Sequence, residues 1–407
     1  MSDAAIPDTH PLRAEVRLLL QLAMIVFVWT VGIGILNGSD LVDFDRKVVL
    51  SHVHAGTLGW ITTSVFAASL WLFGSGASDG EARFARGLTR FSMVALPVFA
   101  LSFAFTYGEA RALLGTLALI AIVTMFGWVV ARARHIELTT VHLGFLAAVA
   151  TSVVGGTIGV LLATEIATGR NTVTDGGPDA HPATMVVGFL IPVGMALAEW
   201  GLRNGDLPRA GRLGTAQIAL PFIGGLMLMI GLLFDITPLP PLSVLVELAG
   251  VVIFFKRLWQ PLRAVAWAEA GPARYAGAAA IAIVANIVFL NYLAGANKGD
   301  FDKVGVHQIL AVDHTMFVGV LTNSIFALLV VATAGRSRWP SLDTPVFVGL
   351  NLALLGFVVS LLAQATWLMR IATPLLGLCI LAGLADRTVA LLGRRGHSAL
   401  AAPSPAT

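Results

Sequence analysis

Long apolar stretches alternate with short polar ones along the whole sequence. Twelve of these runs are long enough, at about 20 residues, to cross a bilayer as a helix. Lipid offers backbone polar groups no partner, so such runs fold as helices. The pattern predicts an all-α polytopic membrane protein, a single transmembrane domain over residues 1–407. The predicted spans lie near 15–37, 49–74, 88–107, 111–131, 138–164, 181–201, 214–234, 240–258, 275–295, 305–334, 344–366 and 371–392.

The composition agrees with this assignment. The chain is 57% hydrophobic and only 12% charged, whereas soluble domains carry roughly 25% charged residues. The sequence pI of about 9.3 is explained by bases placed between the spans, so it does not predict a nucleic-acid partner. The one cysteine, Cys379, excludes a disulfide framework and a C-x-x-C-H haem attachment.

The charges between the spans predict an orientation. Most of the 26 Lys and Arg residues lie in the terminal segments and in the connections that follow even-numbered spans. Cytoplasmic loops carry such an excess of positive charge. Both termini are therefore predicted to be cytoplasmic, in a bacterial inner membrane, and the even-numbered spans to begin on the outer side.

Histidines recur at the outer start of every fourth span. His52 and His54 open the second span, His181 the sixth, and His307 and His314 the tenth. Ionisable residues at this depth in a membrane are functional candidates. Pro182 directly follows His181, which predicts that this histidine lies just outside its helix.

The recurrence predicts internal repeats. His54, His181 and His314 are spaced by about a third of the chain, and the tracts Thr-Met-Val-Val-Gly and Thr-Met-Phe-Val-Gly in the sixth and tenth spans are nearly identical. Repeats at a fixed period indicate repeated structural units. We expect three arcs of four helices with pseudo-threefold symmetry and weak repeats near 1–135, 136–270 and 271–396.

Neutral imidazole binds iron, copper and zinc, and haem iron takes axial histidines without any cysteine. A bis-histidine haem b needs one imidazole from each of two helices, and His54 and His314 are predicted to supply them. A glycine follows each five residues on, Gly59 and Gly319, and is expected to leave room for the macrocycle.

Three further histidines complete the predicted site residues. His52 and His307 are expected to line the rim of the haem site or to replace the two ligands. His181 is expected to face a second site that holds copper or a second haem.

With these residues in place, the chain resembles the heme–copper oxidase subunit I superfamily over its whole twelve-span architecture. In that family the second and tenth helices supply the axial ligands of a low-spin haem, which maps onto His52 or His54 and onto His307 or His314. A histidine that binds copper, often as His-Pro, opens the sixth helix, and His181-Pro182 is similar.

The sequence departs from that family in two places. The family has two more copper-binding histidines on its seventh helix, where this chain has none, and a tyrosine one turn after the sixth-helix histidine, where Met185 and Val186 stand. The standard binuclear centre cannot be assembled from these residues. His52-Val53-His54 followed by Gly59 also resembles the "HAH…G" helix starts of the NnrS family, haem- and copper-containing membrane proteins linked to nitric oxide stress.

These resemblances imply an electron-transport or gas-related role, with nitric oxide or oxygen as ligand and cytochrome c, a quinol or a partner subunit as electron donor. Whether the chain is an oxidoreductase stays open. Two other functions fit twelve spans: a secondary transporter whose histidines bind substrate or protons, and a metal- or haem-handling factor. Transporter sites usually lie at the midplane, whereas these polar residues cluster near the outer surface.

Three acids lie within or beside the spans. Glu165 and Glu199 lie at run ends and are predicted to be solvated. Glu247 lies about two turns inside the eighth run and has no predicted partner.

Overall fold

A computed structural model describes residues 6–297 and 303–392. The expected twelve helices are present, each long and apolar enough to cross a membrane, so the chain is an all-α polytopic membrane protein. The helices are α1 Arg13–Gly38, α2 Arg46–Gly74, α3 Asp79–Phe105, α4 Glu109–Ala133, α5 Thr140–Thr168, α6 Gly177–Leu202, α7 Arg212–Leu233, α8 Leu239–Arg263, α9 Pro272–Ala296, α10 Val306–Ala332, α11 Pro340–Leu362 and α12 Thr366–Leu392. The C-terminus and the end of the third expected repeat, at 396, lie outside the described residues.

Three inner helices are surrounded by nine outer ones. Between 83 and 89% of the most apolar window of α2, α6 and α10 is buried, against 33–50% for the other helices. The outer helices contact one another in chain order, and α12 returns to pack on α1. The inner helices are no more apolar than the outer ones: the mean hydropathy of their most apolar windows is 1.3, 1.8 and 2.1, against 1.7–2.3 for the outer helices.

Each inner helix contains a widened, π-helical segment just after its histidine region. These segments are Ala55–Thr62, Thr184–Leu190 and Thr315–Thr322. Threonine hydroxyls donate to carbonyls five residues earlier, from Thr62 to Thr57 and from Thr322 to Phe317, both at 2.9 Å. π-Helical turns are rare and are frequently found at functional sites.

The two ends of the inner helices differ. We call the end where α2, α6 and α10 begin the histidine face, and the end where they finish the arginine face. At the arginine face an arginine near the end of every fourth helix reaches an inner helix end. Arg132 donates to Phe73 O at 2.9 Å, Arg257 binds Glu199, and Arg387 donates to Arg336 O at 2.9 Å.

Glu199 corrects an expectation. It was expected to be solvated at a helix end, but it is 1% exposed. Arg257 binds its two carboxylate oxygens with two hydrogen bonds of 2.8 Å, and Arg203 and Gln217 contribute 3.0 and 3.1 Å bonds. The carboxylate lies inside the bundle because these donors replace its water.

Candidate functional site

The π-helical segments fix how the three inner helices correspond to one another. The residue that directly precedes each segment is His54 in α2, Ala183 in α6 and His314 in α10. Two residues earlier stand His52, His181 and Val312. The expected correspondence of His181 with His54 and His314 is therefore wrong by two residues; His181 corresponds to His52.

His181 also lies inside its helix and not before it. Helix α6 begins at Gly177, and Pro178 occupies its first turn, a position where a proline costs no hydrogen bond. The helix therefore starts one turn earlier than Pro182 alone suggests, and His181 lies in its second turn.

A large cavity of about 1690 Å³ opens between the inner helices and the outer helices α1, α7–α9, α11 and α12. It reaches the histidine face, where loop residues such as Asp175 and Asp235 line it. Three of the predicted site residues line it: His52, His307 and His314. His54 and His181 do not.

His52 and His314 enter this cavity from two different inner helices and lie within electrostatic range of each other. The Nδ1 of His52 is 2.8 Å from Thr30 O, and the Nδ1 of His314 is 2.8 Å from Leu310 O. A carbonyl only accepts, so each Nδ1 carries the hydrogen and each Nε2 keeps its lone pair. This is the tautomer that ligates a metal through Nε2.

Small residues and an aromatic ring surround this pair. Gly34 of α1 lies where a Cβ would approach His52 Cε1 to 3.3 Å, so its lack of a side chain leaves the imidazole its place. Gly56, one turn after His52, also lines the cavity. The ring of Phe357 lies 4.7 Å from that of His314.

The glycines expected to make room for a macrocycle do something else. A Cβ on Gly59 would run into Val26 of α1, and one on Gly319 would lie 3.1 Å from the Cβ of Ala282 on α9. Both glycines therefore permit close helix packing, which is the usual role of small residues between membrane helices.

The predicted partner of His314 lies elsewhere. His54 lies between helices α2 and α6. It is close enough to His181 and Arg111 for a charge on one side chain to influence the others. Its Nδ1 is 2.8 Å from Leu50 O, and the Nδ1 of His181 is 2.8 Å from Gly155 O. The structure thus forms two histidine pairs, His52 with His314 and His54 with His181, and does not pair His54 with His314.

The remaining interval, between α6 and α10, has no histidine in the corresponding positions. Ala183 and Val312 line the cavity there. This part of the cavity is acidic: Glu247 of α8 and Asp313 of α10 line it, with Asp179 nearer the histidine face. Among the described residues that line the cavity there is neither a lysine nor an arginine.

Glu247 is the most unusual of these groups. It is 0% exposed, and both carboxylate oxygens lack a hydrogen-bond partner among the described residues. Gly224 of α7 makes room for it, since a Cβ there would lie 2.7 Å from Glu247 Cγ. Buried polar groups nearly always have a partner, so this carboxyl is a candidate ligand-binding group.

Arg111 of α4 was not among the predicted site residues. It lies far from the histidines in sequence, at the start of an outer helix, and one arginine at a helix end gives no pattern to recognise. Within the described ranges, no set of three His, Cys, Asp or Glu side chains could hold a metal ion. No protein-family model and no curated protein matches the chain.

Proposed function

We propose that the chain is an integral membrane protein that binds haem b, with His52 and His314 as the two axial ligands. One observation carries the proposal: both imidazoles line one cavity from two different helices, each with Nδ1–H held by a backbone carbonyl and Nε2 free. Two such nitrogens from two helices are what a six-coordinate haem requires.

The surroundings fit a macrocycle. The cavity volume of about 1690 Å³ exceeds the 300–1,000 Å³ that is usual for small-molecule pockets. Its wall near His52 is apolar and aromatic, with Phe27 stacked on Trp60 at 4.5 Å. An apolar shell excludes water and influences the redox potential of a bound haem.

This ligand set favours electron transfer. A bound haem would supply one-electron chemistry, and His52 and His314 would hold it. His52 is held by Thr30 of the neighbouring helix and His314 by its own helix, so both rings are oriented before any cofactor binds. A role with nitric oxide or oxygen would require one histidine to leave the iron, with exposed His307 nearby at the cavity mouth.

The finer assignments belong to the same proposal. Resemblance to heme–copper oxidase subunit I and to the NnrS family favours a redox protein of a bacterial inner membrane with the histidine face outside, supplied with electrons by cytochrome c, a quinol or a partner subunit. We do not propose a copper centre beside this haem, because His181 does not line the cavity and no cluster of three suitable ligands adjoins it within the described chain.

The test is the visible spectrum of the purified, haem-reconstituted protein, oxidised and dithionite-reduced. We expect a six-coordinate b-type spectrum in the wild type and its loss from this site in both His52→Ala and His314→Ala. His142→Ala is the matched control, because His142 is a buried histidine whose Nδ1 lies 2.7 Å from Thr139 Oγ1 and whose Nε2 lies 3.3 Å from Leu72 O. A protein that stays colourless after reconstitution would contradict the proposal.

A second candidate function has its own observation. The acidic part of the cavity reaches from the histidine face to buried Glu247, and no lysine or arginine among the described residues lines it, which suits a secondary transporter for protons or cations. A colourless protein in the spectroscopic test would leave transport as the favoured function. A haem-handling factor would use the same two histidines and would differ by releasing its haem to an acceptor protein.

A further inference from the structure

The acidic part of the cavity, between α6 and α10, differs chemically from the part near His52 and His314, and the haem proposal uses none of its acids. We propose that it binds an organic cation, an ammonium group on a hydrocarbon body, and that Glu247 is the counter-charge of that group. The inference gives a ligand class to the transport alternative. It does not depend on haem, so the two proposals can fail separately.

Glu247 lies where three helices meet, well below the mouth of the cavity. At the usual rise of about 1.5 Å per residue, it is about 12 Å beyond the start of α8. A Cβ on Gly224 of α7 would lie 3.1 Å from its Oε1, and one on Gly225 would lie 2.5 Å from the Cα of Gly188 on α6. The Glu247 side chain also forms part of the cavity wall. The three helices therefore hold a carboxylate beside the cavity and deep in the bundle.

This carboxylate has no counter-charge in the described chain. Neither oxygen has a hydrogen-bond partner there, and no described lysine or arginine lines the cavity. An unpaired buried charge is costly. Glu199 is buried to the same degree, but two arginines, Arg203 and Arg257, bind it. Because the fold supplies cations to one buried glutamate and none to the other, we expect the partner of Glu247 to be a ligand.

Further acids lead from the mouth of the cavity towards this depth. Asp175, Asp179 and Asp235 line the cavity at the histidine face, where all three are exposed, and half-buried Asp313 lines it further in. Asp313 is seven residues beyond the start of α10, a depth of about 10 Å. Clefts lined by charges of one sign concentrate ligands of the opposite sign. The acidic part of the cavity therefore favours entry of a cation.

The remaining walls favour a cation with a hydrocarbon body. Apolar side chains from α6 to α9 line this part: Val187, Leu228, Leu232, Val244 and Leu290. A metal ion of the calcium or magnesium type needs about six oxygen ligands, and no set of three Asp, Glu, His or Cys side chains in the described chain could hold one. An organic ammonium ion needs only one carboxylate, and its body packs against apolar walls.

Asn286 of α9 offers the ammonium group a second polar contact. It is 1% exposed and lines the cavity, and its Nδ2 donates to Val312 O at 2.7 Å. Its Oδ1 is an acceptor, and a primary ammonium group has three N–H donors. Asn286 lies ten residues before the end of α9, which is about 15 Å from that end. It is thus at nearly the same depth as Glu247.

Glu247 must turn to meet the ligand. Its carboxylate lies in the space beside Gly224 and is not exposed to solvent. No hydrogen bond from a described residue holds the carboxylate there, and a glutamate side chain can change between staggered rotamers. A cation in the cavity would draw the carboxylate out of this space towards itself.

The experiment measures binding of n-hexylammonium to the full-length protein in neutral detergent by isothermal titration calorimetry. We expect one saturable site per chain, and much weaker binding of n-hexanol, which has a similar shape and no charge. Glu247→Gln keeps the shape of the side chain and removes its charge. It should weaken hexylammonium binding by at least about 30-fold, the effect of losing one partner of a buried charge pair.

Glu165→Gln is the matched control. Glu165 is a carboxylate at the histidine face that accepts from the backbone N–H groups of Thr172 and Val173 and does not line the cavity. Its loss should leave the affinity for hexylammonium unchanged. If Glu247→Gln does not fold, the wild type still provides a test: a hydrophobic carbodiimide should label Glu247, as identified by peptide mass spectrometry, and hexylammonium but not hexanol should protect it.

Three results would overturn the proposal. Hexylammonium binding that Glu247→Gln leaves unchanged, or carbodiimide labelling of Glu247 that hexylammonium does not reduce, would remove Glu247 as the counter-charge. Binding of sodium or magnesium ions that requires Glu247, without binding of hexylammonium, would overturn the ligand class. An infrared band of a protonated carboxyl that Glu247→Gln removes and hexylammonium does not change would show that Glu247 holds only a proton.

The same variants separate this proposal from haem binding. A protein that stays colourless after reconstitution but binds hexylammonium through Glu247 would contradict the haem proposal alone. A b-type spectrum that depends on His52 and His314, in a protein that does not bind hexylammonium, would overturn the organic-cation site alone. Hexylammonium binding that persists in His52→Ala would support the independence of the two parts of the cavity.

Discussion

The histidine face and the arginine face treat buried carboxylates and imidazoles in opposite ways. At the arginine face, buried charges are paired. Asp343 binds Arg274 and Arg387, and Glu199 binds Arg203 and Arg257. At the histidine face four imidazoles keep a free Nε2, and Glu247 has no partner among the described residues.

The contrast separates structure from function within one bundle. Satisfied buried networks make a fold specific and rigid, and Arg132, Arg257 and Arg387 each join an outer helix to the end of an inner one. Unsatisfied buried groups cost free energy, and real proteins accept that cost mainly at functional sites. Substitutions at the arginine face should therefore lower stability, whereas those at the histidine face should change ligand binding.

The largest expected loss of stability comes from Glu199→Gln. Removing one partner of a buried ion pair costs roughly 3–5 kcal/mol, because Arg257 and Arg203 would lose the carboxylate that three donors surround. The measurement is thermal or SDS-induced unfolding in detergent, followed by circular dichroism. The haem content of the protein that remains folded should not change.

Glu137→Gln serves as the matched control for this prediction. Its ion pair with Arg209 is solvent-exposed, with 69% and 79% of the two side chains accessible, and exposed pairs contribute roughly 0–1 kcal/mol. Equal unfolding midpoints for the two variants would show that burial of the Glu199 pair contributes nothing measurable, and the contrast between the two faces would lose its energetic basis.

The sequence was sufficient to predict the part of this contrast that depends on hydrophobicity. Twelve apolar runs predict twelve helices, and the structure confirms them to within a few residues at most ends. The histidines on every fourth helix were also recognisable. Their pairing was not, because His52 and His54 point to different intervals and only the packing of α2 against α6 and α10 decides which partner each one meets.

The register of α6 and the burial of Glu199 were not predicted from the sequence pattern. The two Thr-Met tracts directly follow Ala183 and His314, so the correct correspondence was present in the sequence. Aligning the histidine of α6 with His54 and His314 instead gives a register that is wrong by two residues. Glu199 was expected in water because it lies at a helix end. Its burial depends on Arg257, which is distant in sequence and reaches it only in the folded bundle.

A smaller effect of opposite sign is expected for Glu247→Leu at the cavity. Removing a buried polar group that has no partner should raise stability by about 1–3 kcal/mol, since leucine has a similar volume and no group to desolvate. The same unfolding assay measures it. A loss of stability would show instead that Glu247 is satisfied in the membrane by a ligand, ion or water, and the cavity would then have to be assigned around that group.

The smallest effect concerns His10, which lies before α1 at the arginine face. Its Nε2 is 3.0 Å from Trp71 O, and its Nδ1 accepts from the Leu12 N–H at 3.2 Å. Burial lowers the pKa of His10 below its usual 6.5, and only the neutral ring can accept the Leu12 N–H. The unfolded chain therefore binds the proton more readily, and the stabilisation present above pH 6.5 is lost as the pH falls through the lower, folded-state pKa.

His10→Ala tests this dependence. Near pH 8 the wild type should be more stable by about 1–2 kcal/mol, the worth of two hydrogen bonds, and its advantage should shrink steadily in unfolding experiments below pH 6.5. His135→Ala, which removes an exposed histidine from the loop between α4 and α5, is the control. A pH-independent difference would mean that His10 contributes by packing against Gly74 and not through its neutral ring. The arginine face would then have no pH-sensitive contact at this point.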